Sequence, residues 1–249
     1  MTPLDRAAYL AHARTGAFSR RVERSRQVVR DWLATTSRRY VAFSGGKDST
    51  AMLGLVREVD PTSLAVFGND EFVLPETLAL LDATPNLHRI AARIEHAPWF
   101  TAWDQGAEGL PAGTEWVEPD GQGPGPWARL HGYDGAAVGI RAGENNYRRL
   151  HIRARGELFY ARRRQVWQCY PLAWWTTQDV WAYILSRKLD YNRAYDRLAE
   201  IGVEPDRQRI GPFAQAKALA FGQLALLKAG WPADFERFAL AHPEARREL

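Results

Sequence analysis

The 249-residue chain holds a single cysteine, Cys169. One thiol excludes an internal disulfide, a cysteine-rich zinc site and a four-cysteine iron–sulfur site. His88, His96, His131 and His151 fall at no metal-ligand spacing. No apolar run approaches the roughly 20 residues of a membrane span. The first residues, MTPLDRAAYLAHARTGAF, lack the apolar centre of a secretory signal. There is no internal repeat and no heptad pattern. These absences lead us to expect a cytoplasmic protein without a membrane partner. The excess of charge of one sign is also small, with a formal net charge of only +4. That suits a polyanionic ligand without demanding nucleic acid.

Against this background the patterning is that of an α/β protein. Residues 5–35 read as helical, with Leu10, Phe18, Val22, Val28, Val29 and Leu33 as core contacts. Arg39–Phe43, Leu64–Phe67, His88–Ile94 and residues 134–140 read as strands. Ser49–Val59 and the stretch from Pro75 to Leu81 read as helices between them. Such alternation argues for a doubly wound, mostly parallel sheet with helical additions at both ends. The expected organisation is a helical segment over 1–36, a nucleotide-binding domain over 37–213 and a helical segment over 214–249. Residues 104–128 contain six glycines and four prolines and read as a long loop, a candidate lid. Residues 150–171 read as two strands around a turn near Gly156, and 176–187 as a helix. The tail from Gln215 reads as helical, punctuated by Gly230-Trp231-Pro232.

The stretch VAFSGGKDST, residues 41–50, concentrates anion-binding chemistry in one turn. A strand, a glycine turn and a helix start surround an anion with backbone N–H groups. Gly45 and Gly46 permit close backbone approach. Lys47 adds a point charge, and Ser44, Ser49 and Thr50 add hydroxyls. A Walker A loop is excluded, because Val41 stands where its first glycine belongs and Asp48 follows Lys47. The plainer reading is a glycine turn with Asp48 and Ser49 as helix-start residues.

SGGKDST resembles the PP-loop of the adenine nucleotide α-hydrolase-like ATP pyrophosphatases. Further stretches resemble the phosphoadenosine phosphosulfate (PAPS) reductase-like branch of that superfamily. They are LAVFGNDEFVLPET at 64–77, GIRAGENNYRR at 139–149, PLAWWTTQDVWAYI at 171–184 and LDYNRAYD at 189–196. The resemblance implies ATP as cofactor and cleavage between its α and β phosphates. It also implies an adenylylated second substrate, not identified by the sequence, and release of pyrophosphate. Three features depart from the branch. Asn69-Asp70-Glu71 replaces its Asp-Thr-Gly, and Asn145 stands where serine is usual. Residues 170–249 contain no cysteine, whereas PAPS reductases carry a catalytic one near the C-terminus. Together with the intact loop, this argues for ATP use and against sulfate reduction, which stays open as the alternative.

Arg141 follows the strand DGAAVGI, at the end where open α/β sheets bind ligands. With the resemblance, this makes Lys47, Asp48 and Arg141 the catalytic candidates and residues 44–50 the phosphate cradle. Glu144 and Arg148 are further substrate- or phosphate-binding candidates, and Asp48 is the candidate Mg²⁺ ligand. The plainer reading of Arg141, Glu144 and Arg148 is a surface salt-bridge cluster. Residues 141–164 hold eight arginines and two acids, interleaved with Tyr147, Phe159 and Tyr160. That segment is either a solvated face or a nucleic-acid surface, and on it rests a third reading, a non-catalytic binding partner. Cys169 reads as a buried structural thiol, and Trp174, Trp175 and Trp181 as packing residues.

Overall fold

The computed structural model describes residues 1–69, 73–92, 114–117, 124–211, 223–241 and 243–246. Seven strands form one sheet in the order β4-β3-β2-β1-β5-β7-β6. They are β1 (Arg39–Ala42), β2 (Ala65–Asn69), β3 (Leu87–Ala92), β4 (Thr114–Val117), β5 (Gly135–Ala137), β6 (Leu158–Ala161) and β7 (Val166–Cys169). All neighbours pair in parallel except β6 with β7. The chain moves outward from β1 through β2, β3 and β4, then returns to place β5 on the other flank of β1. The carboxyl ends of β1 and β5 therefore define the switch point where a doubly wound sheet opens a crevice.

The helices are α1 (Pro3–His12), α2 (Gly16–Thr35), α3 (Lys47–Val59), α4 (Pro75–Ala83), α5 (Pro124–Leu130), α6 (Asn146–Arg155), α7 (Thr177–Ser186), α8 (Ala194–Glu200), α9 (Gln223–Gly230) and α10 (Pro232–Ala241). Period-two alternation along the strands feeds two cores. Val41, Ala65, Phe67 and Ala137 face a large core built with α2, α3, α4 and α7. Tyr40, Val66 and Ala136 face a smaller one closed by Trp127 of α5. No described helix is long and apolar enough to cross a membrane.

Several sequence expectations need correction. The helical stretch 5–35 is two helices, because Thr15 caps a new one by accepting from the Phe18 amide at 3.2 Å. Of its expected contacts, Phe18, Val22 and Val29 are buried, and Leu10, Val28 and Leu33 pack partly exposed around them. Residues 150–155 are helix, not strand. Asn145 starts α6 by accepting from the Arg148 amide at 2.8 Å, and Gly156, at φ 81°, ends it. The hairpin turn lies at residues 162–165 instead. The glycine-rich 104–128 segment contributes regular structure after all, since residues 114–117 form β4 and α5 begins at Pro124. Its remaining residues, 104–113 and 118–123, lie outside the described residues, as do Asp70, Glu71, His96 and the tail before Gln223.

One buried network anchors the amino-terminal helices. Asp179, fully buried at the start of α7, accepts from both Thr176 groups at 2.8 Å and from Arg21 at 2.8 and 2.9 Å. His12 Nε2 lies 2.8 Å from it. Burial alone would raise this carboxyl's pKa, but hydrogen bonds from His12, Thr176 and Arg21 outweigh it and hold the pKa low.

Candidate functional site

A cleft of about 540 Å³ opens at the carboxyl ends of β1 and β5. That volume is in the range of nucleotide-sized ligand sites. Its floor is the β1–α3 turn. Gly45 takes φ 70°, and a Cβ there would meet the Thr77 methyl at 3.0 Å, so both the turn and its packing require glycine. Ser49 Oγ donates to the Gly46 carbonyl at 2.9 Å and accepts from the Ser44 amide at 3.1 Å. These bonds hold the loop in its curved form without using its outward face. Gly139, after β5, presses on the first turn of α3, where an added Cβ would sit 3.2 Å from the Asp48 carbonyl carbon.

Lys47 is 2% exposed, yet it lines the cleft. Its amide donates to the Tyr195 hydroxyl at 3.0 Å, and its ammonium sits 5.5 Å from that ring's centre. Burial pushes the ammonium pKa down; Asp48 opposes this, while Arg209 and Arg141 reinforce it. The Asp48 carboxylate bridges the two catalytic candidates. One oxygen lies 3.4 Å from Lys47 Nζ, the other 2.5 Å from Arg141 Nε. The second contact is close without the alignment of a hydrogen bond, and Asp48 Oδ1 and Arg141 Nε both lack hydrogen-bond partners. Thr50 Oγ1, in the same first turn of α3, is also buried and unbonded. Buried polar groups without partners are uncommon and call for a reason.

Arg141 is buried, and its side chain turns to Asp48 and the Trp175 carbonyl rather than into the cleft. The residues of its turn that do line the cleft are Glu144 and Arg148. Glu144 accepts from the Arg141 amide at 2.8 Å and forms an ion pair with Arg148. Thus the structure brings Ser44, Gly46, Lys47, Asp48, Ser49, Glu144 and Arg148 to one cleft, while Gly45 and Thr50 do not line it and Arg141 is set one layer behind. Both Asp48 oxygens face cations, while the carboxylate itself lines the cleft and is 20% exposed. Among the described residues no cluster of three metal-ligating side chains exists.

Three contributors were not singled out from sequence. Tyr195 closes the cleft against Lys47, and Asn192 donates to the Thr77 hydroxyl at 2.7 Å, bracing the wall beside Gly45. Both fall in the LDYNRAYD stretch, which carried the resemblance without naming roles. Arg209 also lines the cleft and is exposed, and no sequence signal marks it. Cys169 is fully buried at the end of β7, its thiol directed at the Val28 carbonyl 3.9 Å away. Burial, with smaller contributions from Glu157 and Asp31, drives its pKa well above the ordinary thiol value.

The fold and this cleft define a doubly wound α/β domain with a glycine-rich loop at its switch point. The family of the phosphoadenosine phosphosulfate reductase domain matches residues 38–211. The chain belongs to that family, a branch of the PP-loop, adenine nucleotide α-hydrolase-like superfamily. It is similar to phosphoadenylyl-sulfate (PAPS) reductase from Candida auris, solved as a phosphate complex. The identity is 15% and the TM-score 0.46, over 76% of this chain and 88% of that one. Comparison with curated proteins gives no match.

Proposed function

We propose that the cleft binds ATP and that the protein cleaves it between the α and β phosphates, adenylylating a second substrate. The observation that carries this reading is the intact loop from Ser44 to Thr50 with Lys47 buried beneath the cleft. Lys47, Arg148 and Arg209 supply three cations around the space, and bound phosphates would offset the electrostatic cost of burying the first. A nucleophile on the acceptor forms a bond to the α-phosphorus. The bridging bond to the β-phosphate breaks, and its electron pair leaves on pyrophosphate.

In this reading Lys47 and the α3 amino terminus stabilise charge on the departing pyrophosphate. Arg141 acts through Asp48, which it and Lys47 hold between them. Arg141 is therefore a positioning residue rather than a direct phosphate ligand. Mg²⁺, when bound with ATP, would neutralise phosphate charge through phosphate oxygens and water. Asp48, which lines the cleft, is the carboxylate that would reach such an ion.

The second reading, reduction of PAPS or adenylyl sulfate or a related sulfotransfer, takes its support from the family itself. Such chemistry needs an accessible thiolate of low pKa. The chain's one thiol is buried with a raised pKa. Two assays on the same preparation separate the readings. Pyrophosphate and AMP released from ATP support adenylylation chemistry. Sulfite formed from PAPS with a thiol reductant, and no pyrophosphate from ATP, would replace it with reduction.

A further inference from the structure

The arginine-rich segment is split by the sheet. β7 runs parallel to β5, so its Cys169 end lies at the cleft end of the sheet. β6 is antiparallel, pairing Leu158 with Cys169 and Ala161 with Val166. The turn carrying Arg162, Arg163 and Arg164 therefore sits at the opposite end, three strand steps or roughly 10 Å further down. α6, by contrast, starts beside the cleft, with Arg148 in its first turn lining it.

α6 buries one apolar residue, Ile152. Around the rest of the helix Tyr147, Arg149, Leu150, Arg153 and Arg155 are all exposed, with Tyr147 and Leu150 together opposite Ile152, Arg149 and Arg153 one turn apart on one flank, and Arg155 at the end of the other flank. Tyr147 is 79% exposed and Leu150 62%. Among the described residues, Arg149, Arg153 and Arg155 have no carboxylate partner, and Arg149 contacts only the Asn146 amide oxygen, at 2.7 Å. The segment's two acids are engaged elsewhere, Glu144 with Arg148 and Glu157 with Arg24 at 2.9 Å. A helix face with unpaired guanidinium groups and an exposed aromatic ring has the chemistry of a nucleic-acid surface. The arginines suit phosphates and the ring suits an unstacked base.

We propose that the outer face of α6 binds single-stranded nucleic acid and leads it to the mouth of the cleft. The binding claim stands on α6 alone; the further claim that this strand is the acceptor rests on the ATP reading above. An acidic protein would complement the charge equally but would make no use of the Tyr147 ring, which stacks on His151 at 6.3 Å and is still 79% exposed, so nucleic acid is the occupant the surface favours.

The test is fluorescence anisotropy without ATP, using labelled 20-nucleotide DNA and RNA strands and a duplex control across a salt series. The wild type should bind the single strands, more tightly than the duplex, with affinity falling as salt rises. Arg149→Gln/Arg153→Gln/Arg155→Gln should weaken binding by at least tenfold and flatten the log–log salt slope by about 2, since three phosphate contacts go. Tyr147→Ala should cost about tenfold on single strands and much less on duplex. Arg162→Gln/Arg163→Gln/Arg164→Gln should stay within about threefold of wild type, the size expected of remote surface charge. Circular dichroism checks the fold of each variant. No strand binding at low salt, or equal losses from the α6 and turn variants, overturns the proposal. ATP cleavage, measured separately without nucleic acid, should persist in the α6 variant, so the two readings can fail independently. A preference between DNA and RNA in the wild type identifies which strand the face serves.

Discussion

Asp48 and Asp179 are both carboxylates in the first turn of a helix, each between two basic side chains, and they differ in what is left over. Asp179 has every neighbour aligned, with two Thr176 donors, one Arg21 nitrogen shared between both carboxylate oxygens, and His12 around a fully buried group. Asp48 has cations within 2.5 and 3.4 Å, while its own Oδ1, Arg141 Nε and nearby Thr50 Oγ1 make no hydrogen bond. Complete networks specify a fold, and incomplete ones beside a cleft mark where a ligand finishes the arrangement. The same chain thus holds one acid in a closed network and, in the proposed ATP reading, one at a site that a ligand completes.

The largest expected effect tests the architectural acid. Asp179→Ala leaves the half-exposed Arg21, His12 and the two Thr176 donors without their acceptor and should cost about 3 kcal/mol in urea unfolding. ATP affinity of the folded fraction should stay unchanged. A variant of normal stability that loses ATP binding would exchange the roles of the two acids. The pH dependence follows from the same group. Its folded pKa lies below the ordinary 3.8. Its contribution is therefore full above that value and is lost as pH falls through the lower folded pKa. Acid unfolding of Asp179→Asn should lack this part of the wild-type transition.

A smaller effect should follow from Arg141→Ala and Asp48→Asn. If Arg141 works through Asp48, the two changes should overlap. In turnover, the double variant should then fall short of the sum of the single effects by about 0.5–3 kcal/mol. Additive losses would place Arg141 on the substrate independently. The smallest expected effect is on stability. Lys47 carries a buried charge whose pKa is lowered by burial, so the charged form opposes folding at neutral pH. Lys47→Met should match or exceed wild-type thermal stability while losing function, as expected of a site kept for activity. A marked loss of stability would make Lys47 a structural residue.

The β1–loop–α3 unit was legible in sequence because glycine, lysine and hydroxyl spacing encodes backbone geometry directly. The parallel order of strands followed from helix–strand alternation. Side-chain direction was not legible. Arg141 was found by position after β5, but its side chain turns inward to Asp48 and the Trp175 carbonyl, partners far away along the chain. α6 was misread because its apolar residues do not report burial. Tyr147 and Leu150 are exposed, leaving only Ile152 to mark the inner face. β4 and α5 were hidden by flanking glycine and proline, although Trp127 closes the second core. Tyr195 reaches Lys47 from 148 residues away, a pairing that no local pattern carries.

The most direct test is calorimetric titration of ATP with Mg²⁺ into wild type and Lys47→Ala. The account predicts binding by the wild type and a loss of roughly 1.5–3 kcal/mol in the variant, the contribution of a charged hydrogen bond to phosphate. Equal affinity in the two proteins would contradict it and remove the phosphates from the Ser44–Thr50 loop.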